Sequence, residues 1–460
     1  MPRPVVAVIG AGAAGITAMK ELMEADVSVV GFDKADRVGG LWVQGSTSGL
    51  SPAYDSLHLN TSKGRTQFAD YPMPEHWEDY PSAAKVAQYL AEYADAFGVT
   101  EHVRFSTTVE SVRRAPDAAT GALRWRIDAV SDESGATVTH ADAVVVANGH
   151  NWDPRWPSPG YPGTFTGTQV HAHDYRSPDM FRGKRVMVVG MGNSAMDIAV
   201  DASYVASDVV LSSRTGSWIV PKYLFGRPAD ATNGLLARLP WRVRQTVAQA
   251  MLALAVGTPQ SYGLPAPTHG LFQNHPTISD TILHRITHGE VRPVTGIARF
   301  DGERVVLTDG SVEDVDVIVW ATGYRVTIPF LTDEYLGADA ETMPLYHRVV
   351  HLDDPSLMFT GLMQSTGAAL PVVEAQARLV AAHLSGSYAL PSAEEQRRSV
   401  QRSFDAAVQR WGPVKRPAMR VDFDAYLGEI EAEIRRGQRR AARGAQTFSP
   451  EAGYAAAVAS

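Results

Sequence analysis

Two short glycine-rich turns carry the first recognisable chemistry. In Gly10-Ala11-Gly12-Ala13-Ala14-Gly15, Gly10 permits a tight turn, Gly12 lets backbone amides approach a pyrophosphate, and Gly15 lets a helix pack close to a strand. Phosphate charge is then held at the helix N-terminus. Asp33 stands 18 residues beyond Gly15. An acid there accepts hydrogen bonds from ribose hydroxyls and repels a 2′-phosphate, so the expected ligand is FAD or NAD rather than NADP. The second turn, Gly190-Met191-Gly192-Asn193-Ser194-Ala195, has alanine in the third glycine position, and after Val209-Val210-Leu211 the chain reads Ser212-Ser213-Arg214-Thr215. No acid occupies the ribose position; hydroxyls and a guanidinium suit a 2′-phosphate, which points to NADPH. The plainer alternatives are an unliganded glycine turn and an ordinary surface arginine.

Each turn needs a strand before it and a helix after it. Val5-Val6-Ala7-Val8-Ile9, the helix-forming stretch Ile16 to Ala25 and Val27 to Asp33 read as strand, helix, strand, and the pattern returns from Arg185 onward. The expected fold is α/β with two dinucleotide-binding, Rossmann-like domains, the NADPH domain inserted into the FAD domain. The expected boundaries are 1–177 and 315–460 for the FAD-binding parts, the latter with C-terminal helices, and 178–314 for the NADPH-binding part. Ala143 to Gly149 and Asp316 to Gly323 read as buried strands closing on turns, and are taken as crossings between domains. Val243, Val247, Met251 and Leu254 recur at helical spacing between Pro240 and Gly257. That stretch could touch a membrane or line a substrate channel; a packed or half-exposed helix is preferred to membrane contact, because an interfacial anchor carries a more basic polar face. Ser392 to Arg443 reads as helical, its terminal arginines as a solvated face partly paired with glutamates.

Composition narrows the chemistry. The 460 residues carry 42 Lys+Arg against 50 Asp+Glu, a net charge of −8, which argues against a nucleic-acid or anionic-lipid binder. Cysteine is absent, excluding disulfides, thiolate metal sites, cysteine nucleophiles and electron relay through a redox-active dithiol. His284 and His288, at i and i+4, lack a third ligand pattern, so no metal is expected. No apolar run reaches the ~18 residues of a membrane span, and a cytoplasmic location is expected. Partners are a small-molecule substrate and O2, with no nucleic acid and no transmembrane segment; a homodimer stays open.

With two dinucleotide sites, hydride passes from NADPH to a flavin, and the reduced flavin needs an acceptor other than a protein disulfide. Between the two turns, Phe165-Thr166-Gly167-Thr168-Gln169-Val170-His171-Ala172-His173-Asp174-Tyr175 fits the FxGxxxHxxx(Y/F) fingerprint of flavin-containing monooxygenases. The chain resembles that family from about residue 5 to 435, through Gly39-Gly40-Leu41-Trp42, Leu59-Asn60-Thr61-Ser62-Lys63, Arg214-Thr215-Gly216-Ser217-Trp218, His275-Pro276-Thr277, Ala321-Thr322-Gly323-Tyr324 and Gly361-Leu362-Met363-Gln364. It departs in having Asp33 where the family commonly has Glu, and Asn148-Gly149 where Ser-Gly or Thr-Gly is frequent.

The resemblance implies a monooxygenase in which NADPH reduces FAD, O2 adds at flavin C4a, and retained NADP+ shields the resulting hydroperoxide until a soft nucleophile takes the distal oxygen. It implies Asn60 as the catalytic amide beside C4a, where a preorganised polar group is needed; read without it, Asn60 is equally a turn residue. For FAD it implies Gly10, Gly12, Ala13, Ala14, Gly15, Asp33, Lys34, Gly40, Leu41, Trp42, Asn60, Thr61, Val109 and Gln364, and for NADPH it implies Gly190, Gly192, Asn193, Ser194, Ser213 and Arg214. His171 and Tyr175 are expected to fix domain geometry rather than to do chemistry. The leading activity is N- or S-oxidation of a small molecule. Baeyer–Villiger oxygenation is the alternative, although enzymes of that kind typically end the fingerprint with Trp followed by Pro or Asp, where this chain has Tyr175-Arg176; an uncoupled NADPH oxidase releasing H2O2 is the other.

Overall fold

The β-branched run Val5–Ile9 forms an interior strand of a seven-stranded sheet, where a strand covered on both faces needs apolar side chains throughout. The structure, a computed structural model, describes residues 3–117, 121–231, 240–274, 276–337, 339–412 and 419–450. His275 of the family resemblance lies outside the described residues. Val5–Ile9 pairs in parallel with Ser28–Phe32 on one side and Ala143–Val146 on the other; Val103–Arg104 continues one edge, and Leu357–Phe359, Val350–His351 and Leu345–Tyr346 the other. Helix Ala13–Glu24 packs on this sheet and is covered by helix Leu370–Leu384, so Ile16, Met19, Val372 and Val380 share one core. A meander of Thr107–Pro116, Leu123–Ser131 and Gly135–Ala141 stands beside it.

The second sheet runs Arg292–Val294, Asp208–Ser212, Arg185–Val189, Val317–Trp320, Thr168–His171, all parallel. The two sheets are built alike at their glycine turns. Gly10, at φ +108°, would place a Cβ 2.4 Å from the Ala147 carbonyl oxygen, and Gly190, at φ +145°, would place one 2.6 Å from that of Ala321. In each unit the strand after the crossover is pressed against the turn so closely that only glycine fits. Gly15 is tighter still, since a Cβ there would lie 1.8 Å from the Gly10 carbonyl oxygen.

The crossing segments differ from the sequence expectation in one respect. Thr168–His171 and Val317–Trp320, both outside 178–314, are strands of the second sheet. The crossing itself is a ribbon in which outgoing Asp153–Pro154 pairs antiparallel with returning Tyr324–Arg325, reinforced by Arg325 on Asp153 at 2.9 Å. Hydrophobic periodicity locates a buried strand but not the sheet it joins.

The helix expected after Pro240 runs Trp241–Val256 and stops at Gly257, φ +79°. Its buried residues are Arg244 and Leu252, whereas Leu254 is 84% exposed and Val243 48%. The C-terminal stretch forms two helices, Ala393–Trp411 and Phe423–Ala442, and the arginines of the second pair with acids: Arg436 and Arg440 with Glu433, and Arg435 with Glu431. Among the described residues no helix is long and apolar enough to cross a membrane.

Candidate functional site

A cavity of about 750 Å3 opens at the C-terminal end of the first sheet's strands. Its wall brings together Gly10, Gly12, Ala13, Ala14, Asp33, Lys34, Gly40, Leu41, Trp42, Asn60, Thr61 and Val109. Gly12 and Gly40 form a bare main-chain floor: a Cβ on Gly40, which sits at φ +58°, would come within 2.9 Å of Gly12 Cα. Gly15 is behind this floor, packing helix against turn. Gln364 is not on the wall; it pairs with Arg420 in a short ladder while its neighbour Met363 faces the cavity.

Asp33 is held by the main chain. Its carboxylate accepts from Ala11 N–H at 2.5 Å and Ala35 N–H at 2.7 Å, one on each oxygen. Burial raises its pKa, and these two bonds oppose the rise. Each oxygen keeps a lone pair for a further donor. Ser106 N and Thr107 N donate to the carbonyls of Ala35 and Asp33, which draws the strand bearing Val109 alongside.

Asn60 follows Leu59, whose N–H donates to Pro81 O, and precedes the short helix Lys63–Thr66. The turn's internal bonds are made by Thr61 and Thr66, whose hydroxyls are 2.8 Å apart, and by Thr66 Oγ1 donating to Ser62 O. The Asn60 amide makes no hydrogen bond to any described residue, so it is not the group that closes the turn. A half-buried primary amide left uncommitted in a cavity wall is available to a ligand.

The second turn lies apart from this cavity. Gly192 precedes helix Asn193–Ser203, and the Asn193 side-chain oxygen accepts from Ile278 N–H at 2.7 Å. Ser194 faces the Tyr54 hydroxyl, whose pKa is pushed up by burial. Ser213 is buried and donates to Thr215 O at 2.6 Å. Arg214 is exposed, with its stem against Gly296 and no ion pair to a described residue. No described side chain therefore competes for its guanidinium.

The fingerprint residues have packing roles. His171 is fully buried; its Nδ1 accepts from His173 N–H, its ring meets Trp156 and Tyr324, and burial pulls its pKa down. Tyr175 donates to Asp201 at 2.7 Å, and Phe165 packs on Phe300. None of the three lines the cavity.

The far end of the cavity is built in part by the helix after Pro240, a stretch whose spacing allowed it to line a substrate channel. Arg244, Ala248, Met251 and Leu252 present one helix face to it, and Phe423 and the Arg65–Asp424 ion pair, 2.9 Å, close it. Of the periodic set 243, 247, 251 and 254, Met251 reaches the wall, while the face that lines it is 244, 248, 251 and 252, centred about one residue from that set. Nothing in the pattern pointed to Asp230, which reaches the same wall from a hairpin.

Comparison with known proteins settles the family. Residues 3–438 match the flavin-binding monooxygenase-like family. The chain belongs to that family. It is an oxidoreductase that uses FAD and NADPH, and the glycine floor, Asp33 and the uncommitted Asn60 amide fit such a dinucleotide. It is 33% identical over 444 residues to flavin-containing monooxygenase 5 of Rattus norvegicus, covering 94% of this chain and 82% of the relative. It is 32% identical to dimethylaniline monooxygenase [N-oxide-forming] 2 of the same species, covering 93% and 82%. The fold matches S-allyl-L-cysteine S-oxygenase from Allium sativum with TM-score 0.69 and 24% identity, over 99% of this chain and 92% of that one.

Proposed function

We propose that this flavin monooxygenase oxygenates a soft nucleophile, the nitrogen or sulfur of a small molecule. The observation that carries the reading is the Asn60 amide, without a hydrogen bond to any described residue, in the wall that also holds the glycine floor. When bound, FAD reduced by NADPH supplies the activation of O2 at its C4a position. The chain's own residues do the rest. Gly10, Gly12 and Gly40 leave main chain open to the diphosphate, Asp33 offers remaining lone pairs to the ribose, and Asn60 offers an amide N–H where oxygen is transferred. Apolar Met251, Leu252, Leu271 and Phe272 line the same cavity and make its far end less hospitable to water. The relatives named for N-oxide formation and S-oxygenation support nitrogen and sulfur as targets.

Arg214 and Ser213, in this reading, receive the 2′-phosphate of NADPH, with the diphosphate on the turn Gly190–Ser194. We place the division between the FAD-binding and NADPH-binding parts at the paired crossing Asp153–Pro154 and Tyr324–Arg325, where the chain leaves one sheet and returns. The test is an oxygen-uptake screen of the purified holoenzyme with NADPH over tertiary amines, thioethers, hydroxylamines and ketones, with product mass. A mass gain of one oxygen on an amine or thioether is expected. Oxygenation confined to ketones, or quantitative H2O2 with every amine and thioether, would overturn the reading.

A further inference from the structure

The Asn60 turn is gripped from the second unit. Ser62, two residues after Asn60, begins the helix Lys63–Thr66, and a serine in that position ordinarily accepts from the helix's own N–H groups. Here it makes no such cap. Its N–H and its hydroxyl both donate to one oxygen of Asp230, at 2.7 and 3.0 Å, across 168 residues of sequence. Ser62 is buried, and the other Asp230 oxygen is buried without a partner, so Ser62 takes all the hydrogen bonding this carboxylate has among the described residues.

Asp230 follows the hairpin Tyr223–Leu224/Arg227–Pro228, which is fastened to the same segment twice more. Tyr80 donates to Lys222 O at 2.5 Å, and Tyr223 donates to Asp79 at 2.5 Å, while Asp79 O accepts from Lys63 N–H. The hairpin is in turn continuous with Ile219–Val220, which pairs in parallel with Thr277–Ile278, and Ile278 N–H is the donor to Asn193 at the second glycine turn. An unbroken series of hydrogen-bonded elements therefore runs from that turn to the residue after Thr61.

We propose that Asp230 is a positioning residue for oxygenation: it holds Ser62, and through it the Asn60 amide, in a place set by the NADPH-binding unit. The inference rests on the reading of Asn60 given above. A tie across units that ends on a catalytic turn makes the geometry of that turn depend on how the second unit is seated. A carboxylate suits this better than a neutral cap, because hydrogen bonds to a charged acceptor are the stronger kind.

The test uses the FAD-loaded enzyme and variants Asp230→Ala, Asp230→Asn, Ser62→Ala and Asn60→Leu. Three quantities are read: hydrogen exchange of the peptide spanning 58–64 without NADPH, the rate of H2O2 release with NADPH and no substrate, and anaerobic flavin reduction. Asp230→Ala should raise both exchange and H2O2 release by about tenfold or more, the low end for losing bonds to an ionised group, with flavin reduction within about twofold of wild type. Asp230→Asn, which keeps an oxygen acceptor, should restore most of both. If Asp230→Ala fails to fold, Ser62→Ala, which loses only the hydroxyl bond, carries the test with a smaller rise in the same direction. Unchanged exchange or unchanged H2O2 release in Asp230→Ala overturns the proposal, as does an Asp230→Asn enzyme no better than Asp230→Ala. Where Asn60→Leu raises H2O2 release and Asp230→Ala does not, the tie alone has failed; where neither does, the reading of Asn60 has failed with it.

Discussion

Arg214→Ala should lose most of the enzyme's preference for NADPH over NADH. The guanidinium is exposed and makes no ion pair with a described residue, so truncation leaves no buried charge unpaired and the loss reflects only the contact to the 2′-phosphate. A hydrogen bond to a charged group contributes roughly 1.5–3 kcal/mol. Exposure places this one at the lower end, because solvent and salt screen it. About 1.5 kcal/mol corresponds to roughly a 12-fold change. The assay is kcat/KM for NADPH and for NADH in wild type and variant, at low ionic strength and at about 0.15 M. The NADPH value should fall about tenfold, the NADH value should hardly move, and the difference should shrink with salt. Arg214→Lys should recover part of the loss, keeping the charge without the planar fork. A variant that keeps the wild-type NADPH/NADH ratio would show that some other group reads the phosphate.

Asn60→Leu should leave anaerobic flavin reduction measurable while oxygenated product falls by about 10²–10³ in rate, the typical effect of losing one preorganised donor, and H2O2 per NADPH approaches one; unchanged coupling would return Asn60 to the role of a turn residue. Asp197, which accepts from Tyr54 at 2.7 Å where the second-unit helix meets the first unit, has its pKa pushed up from 3.8 to about 6, chiefly by burial. Its stabilising contribution is complete below about pH 3.8 and is lost as pH rises through about 6. Discounted for residual solvent contact, the loss is about 2 kcal/mol. Asp197→Asn should therefore gain on wild type by that amount in urea unfolding between pH 4 and 7, and a pH-independent difference would count against it. His383 is buried with Nδ1 unpartnered and Nε2 directed at Pro355 O, and burial pushes its pKa from 6.5 down to about 4. Its contribution is present above about pH 6.5 and is lost as pH falls through about 4, so His383→Gln should flatten the acid side of the stability profile; an equal slope in both proteins would refute this.

The glycine turns were legible from sequence because their requirement is local. Gly10, Gly15 and Gly190 sit where a Cβ would strike main chain, a constraint that any sequence folding this way must meet with glycine. The strands and helices flanking them, the helix between Pro240 and Gly257 and the family itself followed from short-range patterns of the same kind. Sheet membership did not. Val317–Trp320 reads as a buried strand in either sheet, and only its pairing with Arg185–Val189 decides which.

The site divides along the same line. Spacing along one turn gathers Gly10, Gly12 and Asp33, since the unit that holds them is contiguous. The rest of the wall draws on residues 230, 244, 252 and 423, which share the cavity with Asn60 only because the second unit and the C-terminal helix pack against the first. The same holds for Ser62: a serine at the start of a helix ordinarily caps it, and it is the arrival of Asp230 from 168 residues away that turns its hydroxyl elsewhere. Sequence determined what each local segment can bind, because backbone geometry and hydrogen-bonding groups are fixed within a few residues. Which segments face one another is decided by packing across the chain, which leaves no period in the sequence to read.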